Sequence, residues 1–234
     1  FYKTIKFRSM KYIGDPLNTI KLFNEKEVDE LCILDIGVTK NKKDINYSLL
    51  NEISSECFVP LSYGGGITSV NEAGKVLKLG YEKIIINTSF HNNPSLFTEI
   101  SNEFGSQSVV GSIDIKKNLF NKFHVVTSCG YISTKLDPLD IAKAMEQNGA
   151  GEIILNSINR DGMMNGYELE MFGEIASSLT IPTVFVGGAS SILDFRSAVL
   201  GGASAVGAGS LFVYKGPHRA VLINYPSERD MDLI

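Results

Sequence analysis

Pro60-Leu61-Ser62-Tyr63-Gly64-Gly65-Gly66-Ile67-Thr68-Ser69 returns 122 residues later as Pro182-Thr183-Val184-Phe185-Val186-Gly187-Gly188-Ala189-Ser190-Ser191. In each copy a proline opens a short apolar run, two glycines close it, and a serine stands where a helix should begin. The same gapless register extends in both directions. Asp15-Pro16 falls on Asp137-Pro138, Lys21 on Lys143 and Glu30 on Glu152. Glu52-Ile53 falls on Glu174-Ile175, Gly80 on Gly202 and Phe90 on Phe212. Two half-repeats, about 1–122 and 123–234, therefore make up one domain.

Each half alternates short strands with amphipathic helices. The strands read as Leu31–Ile36, Val59–Tyr63, Ile84–Asn87, Ser108–Ile115, Glu152–Ser157, Thr183–Val186 and Ala203–Ala208. Most are continuous apolar runs, the pattern of parallel strands buried on both faces. Asp15-Pro16 and Asp137-Pro138 each supply an N-cap followed by proline at the first helical position. Val70, Ala73, Val76 and Leu77 form a helical stripe, as do Leu96, Phe97 and Ile100. Seven strands do not divide into two equal halves. Residues 1–14 align with 123–136, which follow a strand, so the repeat predicts a matching strand upstream of Phe1. The expected fold is a (βα)8 TIM barrel of two half-barrels, with its first strand absent from this chain. An open doubly wound sheet is the alternative, but it gives no reason for the half-repeat.

Composition narrows the function. Of 234 residues, 44% are apolar and 21% charged, enough for a large core. A net charge of −4 without a basic block disfavours nucleic acid or an anionic membrane as partner. No apolar run is long enough to span a bilayer. Cys32, Cys57 and Cys129 lie far apart without a CxxC pair, which points to a reducing cytoplasm. His91, His124 and His218 are scattered, and neither a metal site nor a cofactor is expected.

In such a barrel the chemistry sits at the C-terminal ends of the strands. Gly65-Gly66 and Gly187-Gly188 lie there, each ahead of a helix, where backbone amides can approach an oxyanion. Asn87-Thr88 and Gly209-Ser210 occupy equivalent places one strand later. The repeat thus predicts two phosphate sites facing each other across the barrel mouth. Asp114, directly after the run Val109–Ile113, is the candidate proton-transfer group. Asp35 and Asp161 are further acidic candidates in the same position. Glu30 and Lys83 precede their strands and Glu152 opens its own, at the opposite end of the barrel, where ion pairs ordinarily stabilise. Lys116–Lys122 reads as a basic hairpin tip, able to act as a flap over an anionic substrate.

The motifs together resemble a known family. Leu61–Ile67, Ile85-Ile86-Asn87-Thr88, Gly105-Ser106-Gln107, Ser112-Ile113-Asp114, Asn159-Arg160-Asp161-Gly162 and Val186-Gly187-Gly188-Ala189 are similar to the cyclase subunit of imidazole glycerol phosphate synthase. The resemblance implies a barrel that binds a bis-phosphorylated ribotide. A glutaminase would dock at its N-terminal face and send ammonia through the barrel for cleavage and ring closure. It implies that Asp114 is one of two catalytic aspartates, with Lys3, Asp35 and Asp161 as further active-site groups. It also implies that Glu30, Lys83 and Glu152 form a charged gate at the ammonia entrance.

Some segments depart from that family. Thr127–Lys135 lacks its His/Gly/Arg/Lys-rich composition, Asn156 replaces a threonine, and Met163-Met164 replace polar residues. Lys11–Pro16 and Lys215–Arg219 resemble a paralogous branch that accompanies surface-polysaccharide genes and is thought to supply ammonia for sugar amidation. A non-catalytic barrel that activates a glutaminase is the third expectation.

Overall fold

A computed structural model describes residues 1–41, 43–231 and 234. Seven parallel strands form its main sheet: β1 (Leu31–Leu34), β2 (Leu61–Gly64), β3 (Lys83–Ile86), β4 (Val109–Lys117), β5 (Glu152–Ser157), β6 (Thr183–Val186) and β7 (Ala205–Gly207). Their spatial order is their chain order, β1 to β7 without a switch, which excludes the doubly wound alternative. The curled sheet with alternating helices is the (βα)8-barrel type that the repeat predicts.

The main helices are α1 (Pro16–Glu25), α2 (Tyr47–Glu56), α3 (Val70–Lys78), α4 (Ser95–Phe104), α5 (Pro138–Gln147), α6 (Leu169–Ser177) and α7 (Ile192–Leu200). The 122-residue shift carries α1 onto α5, β2 onto β6 and α3 onto α7 with identical boundaries. Local chemistry repeats as well. The Asp15 side chain accepts from the Asn18 amide at 3.1 Å, and Asp137 from the Leu139 amide at 2.9 Å. Ahead of α3, Glu72 accepts from the Thr68 amide at 2.7 Å. Ahead of α7, its counterpart Asp194 accepts from the Ser190 amide at 2.8 Å. Each acid thus satisfies a helix-start amide that would otherwise lack a partner.

Alternation along the strands divides their side chains between two environments. Tyr63, Ile84, Ile86, Ile113, Ile153, Leu155 and Phe185 point outward and are buried under the helices. They pack with Phe97, Ile100, Phe172 and Ile175 in one core, where Phe172 meets Phe185 edge-on at 5.2 Å. The opposite face lines the barrel interior and carries Lys83 on β3, Asp114 on β4, and Glu152 and Asn156 on β5. Where strand boundaries differ from the sequence reading, they do so by at most two residues. β1 stops at Leu34 because Asp35 turns the chain into the short helix Ile36–Asn41, and β2 begins at Leu61 rather than Val59.

Two small hairpins complete the repeat: Tyr2–Lys3 with Lys11–Tyr12, and Phe123–Thr127 with Ile132–Ser133. The strand Phe123–Thr127 also runs back antiparallel along β4, pairing Asp114 with Val126, so the expected hairpin after β4 is present. No helix among the described residues is long and apolar enough to cross a membrane.

Candidate functional site

Asp114 points into the barrel interior near the C-terminal end of β4 and is buried. Register places it beside Asn156 of β5. The two oxygens of its carboxylate each accept one amide donor. Asn87 Nδ2 lies 2.9 Å from Oδ2, and Asn156 Nδ2 lies 3.1 Å from Oδ1. Burial pushes the Asp114 carboxyl up to about 7, against the pull of the Asn156 and Asn87 amides, with the charge of Asp161 adding to the rise. A carboxyl that is half ionised near neutrality is suited to both accepting and donating a proton.

At the same end of the barrel lies a cavity whose lining, drawn from both repeats, includes Lys3, Asp161, Gly187, Gly188, Gly209 and Ser210. Lys3 reaches this cavity across Gly209, where a Cβ would stand 2.5 Å from its Nζ. Its ion pair with Asp161 is loose, at 3.9 Å. Asp161 is held instead by the Thr4 hydroxyl at 2.8 Å, and its carbonyl accepts from the Lys6 amide at 3.0 Å. The hydroxyl of Ser210 is buried and finds no partner among the described residues. A loosely paired ammonium, an unpartnered hydroxyl and glycine amides together can receive an anion. Sequence reasoning names these six as candidate site residues; the other lining residues, such as Met164 and Ala208, it does not.

The first half is arranged differently. Asp35 Oδ1 accepts from the Gly37 and Val38 amides at 2.9 and 3.3 Å, so one oxygen caps its own loop. Gly65 lies against Asp35 and Tyr63. Thr88 Oγ1 accepts from the Ser128 amide at 3.0 Å and ties the loop after β3 to the second hairpin. Asn87, expected at a phosphate loop, is placed on Asp114.

At the other end of the barrel the three predicted gate residues meet. Lys83 Nζ lies 2.8 Å from Glu30 and 3.0 Å from Glu152. Desolvation lowers the Lys83 pKa, but hydrogen bonds and charge from both carboxylates outweigh it, and the net shift is upward. The ammonium therefore stays charged at physiological pH.

Three features escaped the sequence reading. The amide partners of Asp114 were not identified, and neither was Thr4. The third is a pair of repeat-related turns at the barrel mouth. Lys6-Phe7 and Ser128-Cys129 all have positive φ, and the turns close through Arg8 N to Ile5 O and Gly130 N to Thr127 O. Phe7 lies over Gly130 beside Ile158. Cys129 Sγ lies 3.7 Å from the carbonyl of Ile36, the repeat counterpart of Ile158. Neither turn has glycine or asparagine at its centre, so the usual turn signal is missing. The repeat register was the one available clue.

Fold and side-chain placement define a half-repeated (βα)8-barrel protein with a polar site at the C-terminal ends of its strands. The family model described as histidine biosynthesis protein matches residues 1–218. The chain belongs to that family. It is 47% identical over 236 residues to a Pseudomonas aeruginosa protein provisionally named imidazole glycerol phosphate synthase subunit hisF2, covering 99% of this chain and 92% of the relative. A Leptospira interrogans protein with the provisional name imidazole glycerol phosphate synthase subunit HisF is 46% identical over 234 residues, with the same coverage. The imidazole glycerol phosphate synthase subunit HisF of Alkaliphilus metalliredigens is 38% identical over 213 residues, covering 91% of this chain and 84% of the relative.

Proposed function

We propose that this chain is the ammonia-using subunit of a two-component synthase of the imidazole glycerol phosphate synthase type. Ammonia released by a partner glutaminase enters at the N-terminal face and is consumed at Asp114. The observation that carries this reading is the placement of Glu152 and Asn156 on the interior face of one strand. Glu152 belongs to the charged gate, and Asn156 holds the candidate acid–base group about 13 Å further along.

In this reading Lys3, Gly187, Gly188, Gly209 and Ser210 hold one phosphate of the substrate. Gly65, Gly66 and Thr88 hold the other, on the opposite side of the mouth. Asp114 moves protons during cleavage and ring closure of the ribotide, giving imidazole glycerol phosphate and an aminoimidazole carboxamide ribotide. Asp161 anchors the loop that carries Lys3. The protein acts in the cytoplasm on a phosphorylated small molecule.

A second reading has a specific observation in its favour. Relatives with provisional or numbered subunit names share 44–47% identity with this chain, whereas those named plainly as HisF share 36–38%. In that reading the ammonia serves acetamidino modification of a surface-polysaccharide sugar, or the barrel only activates its glutaminase. Single-turnover assay of the protein with the ribotide and saturating ammonium separates these readings. Formation of imidazole glycerol phosphate supports the cyclase, and its absence leaves the sugar-amidation and glutaminase-activating readings.

A further inference from the structure

The net charge of −4 averages two very different parts of the chain. Residues 1–14, 115–136 and 214–221 hold ten Lys and Arg and no Asp or Glu, so they carry +10 while the remainder carries −14. The three stretches form one face at the C-terminal ends of the strands. Phe7 of the first packs on Gly130 of the second, and Lys11 Nζ lies 5.1 Å from the ring centre of Tyr214 in the third.

Out of this face stands the hairpin tip that follows β4. Asn121 N donates to Asn118 O at 3.0 Å, and Asn118 Oδ1 accepts from the Phe120 and Lys122 amides at 2.9 and 3.0 Å. Asparagine thus builds the turn and leaves Leu119 and Phe120 at its centre, where polar residues, proline or glycine are usual. They are 99% and 91% exposed, the two most exposed large apolar side chains among the described residues. Lys116, Lys117 and Lys122 flank them, and among the described residues none of the three is in an ion pair. At the base of the tip lies a groove of about 490 Å³ whose lining includes Lys116, Lys117, His124 and Asn159 and no acid. It leaves room for an anionic headgroup beside the apolar tip.

An apolar apex among unpaired cations is the chemistry of binding at a lipid–water interface. The apolar side chains enter the headgroup layer while the cations meet anionic lipid. A protein partner fits less well, since eight of the ten cations are lysine, a residue depleted from protein interfaces. We propose that this face docks on an anionic phospholipid surface through Leu119, Phe120 and the lysines around them. The docking does not depend on which acceptor the barrel serves.

Purified protein should sediment with vesicles of equimolar phosphatidylglycerol and phosphatidylcholine, and stay in solution with phosphatidylcholine alone. Leu119→Asn and Phe120→Asn should each lower partitioning about tenfold, the scale of returning one buried apolar side chain to water. Their melting temperatures should match that of the unmodified protein, because neither side chain is packed in the fold. Lys122→Gln should cost about fivefold, as loss of one cation near a charged bilayer does. Equal sedimentation with both lipids, or partitioning unchanged when both tip residues are replaced, overturns the proposal. No sedimentation with the anionic vesicles also overturns it and leaves the face to an acidic protein partner.

Discussion

At the scale of single residues, the burial of Asp114 has two measurable consequences. Its native-state pKa of about 7 lies well above the ordinary carboxylate value, so the folded protein binds this proton more tightly than the unfolded chain does. The group therefore costs no stability at low pH. Its cost grows as pH rises from about 4 to about 7 and is constant above that. Asp114→Asn removes this dependence. Its melting temperature relative to the unmodified protein should be highest above pH 7, and the difference should shrink towards pH 4 in calorimetry. Catalysis should respond in the opposite sense. Turnover should fall about 10²–10⁴-fold, the usual contribution of a positioned acid–base group, with phosphate affinity unchanged in titration calorimetry. A variant with near-normal turnover removes Asp114 from the mechanism.

At the scale of elements, the loop from β7 into the short helix Ser210–Val213 shows how one missing side chain organises a site. Gly209 has φ −120°, which any residue adopts, so its value lies in the room it leaves for Lys3. The atom a Cβ would meet is the mobile end of a lysine, and Lys3 would yield rather than the backbone. Gly209→Ala should therefore leave the melting temperature almost unchanged while displacing the ammonium from the cavity. Affinity for a phosphorylated ligand should drop about tenfold, the scale of one lost charge-assisted hydrogen bond. Equal affinity in the two proteins would take Lys3 out of the anion site. The mouth hairpins carry a different signature. Each holds two consecutive non-glycine residues in left-handed geometry, at roughly 1–2 kcal/mol per residue. Packing of Phe7 over Gly130 offsets part of that cost in one of them.

At the scale of the whole molecule, the two ends of the sheet do different work. The C-terminal ends gather Asp114, Lys3 and the glycine loops. The N-terminal ends gather Glu30, Lys83 and Glu152 in one ion-pair network. The network is partly buried, but Lys83 meets two carboxylates, so removing one acid leaves it paired with the other and should leave the fold intact. Glu30→Ala and Glu152→Ala should each uncouple glutamine hydrolysis from product formation in the complex with the glutaminase. Activity driven by added ammonium should survive. Equal loss of both activities would show that these residues do not control ammonia entry.

The fold was legible before any coordinate because its signals are local and occur twice. Apolar runs, proline and serine helix starts and paired glycines recur at one fixed interval, and the helices and strands follow them almost residue for residue. Asp114, Gly187, Gly188, Gly209 and Ser210 were legible for the same reason, since position at the end of a strand is written along the chain. The partners of Asp114 were not. Asn87 and Asn156 reach it from neighbouring strands, 27 and 42 residues away in the chain, through side-chain alternation and strand register. Those quantities are set by how strands pair. The approach of Lys3 to Gly209 and Asp161 is likewise a contact between opposite ends of the sequence. Sequence alone determined the repeated barrel and the ends of the strands where chemistry belongs. Only the tertiary structure decided which side chains meet there, because burial, and with it the raised pKa of Asp114, is a property of packed neighbours.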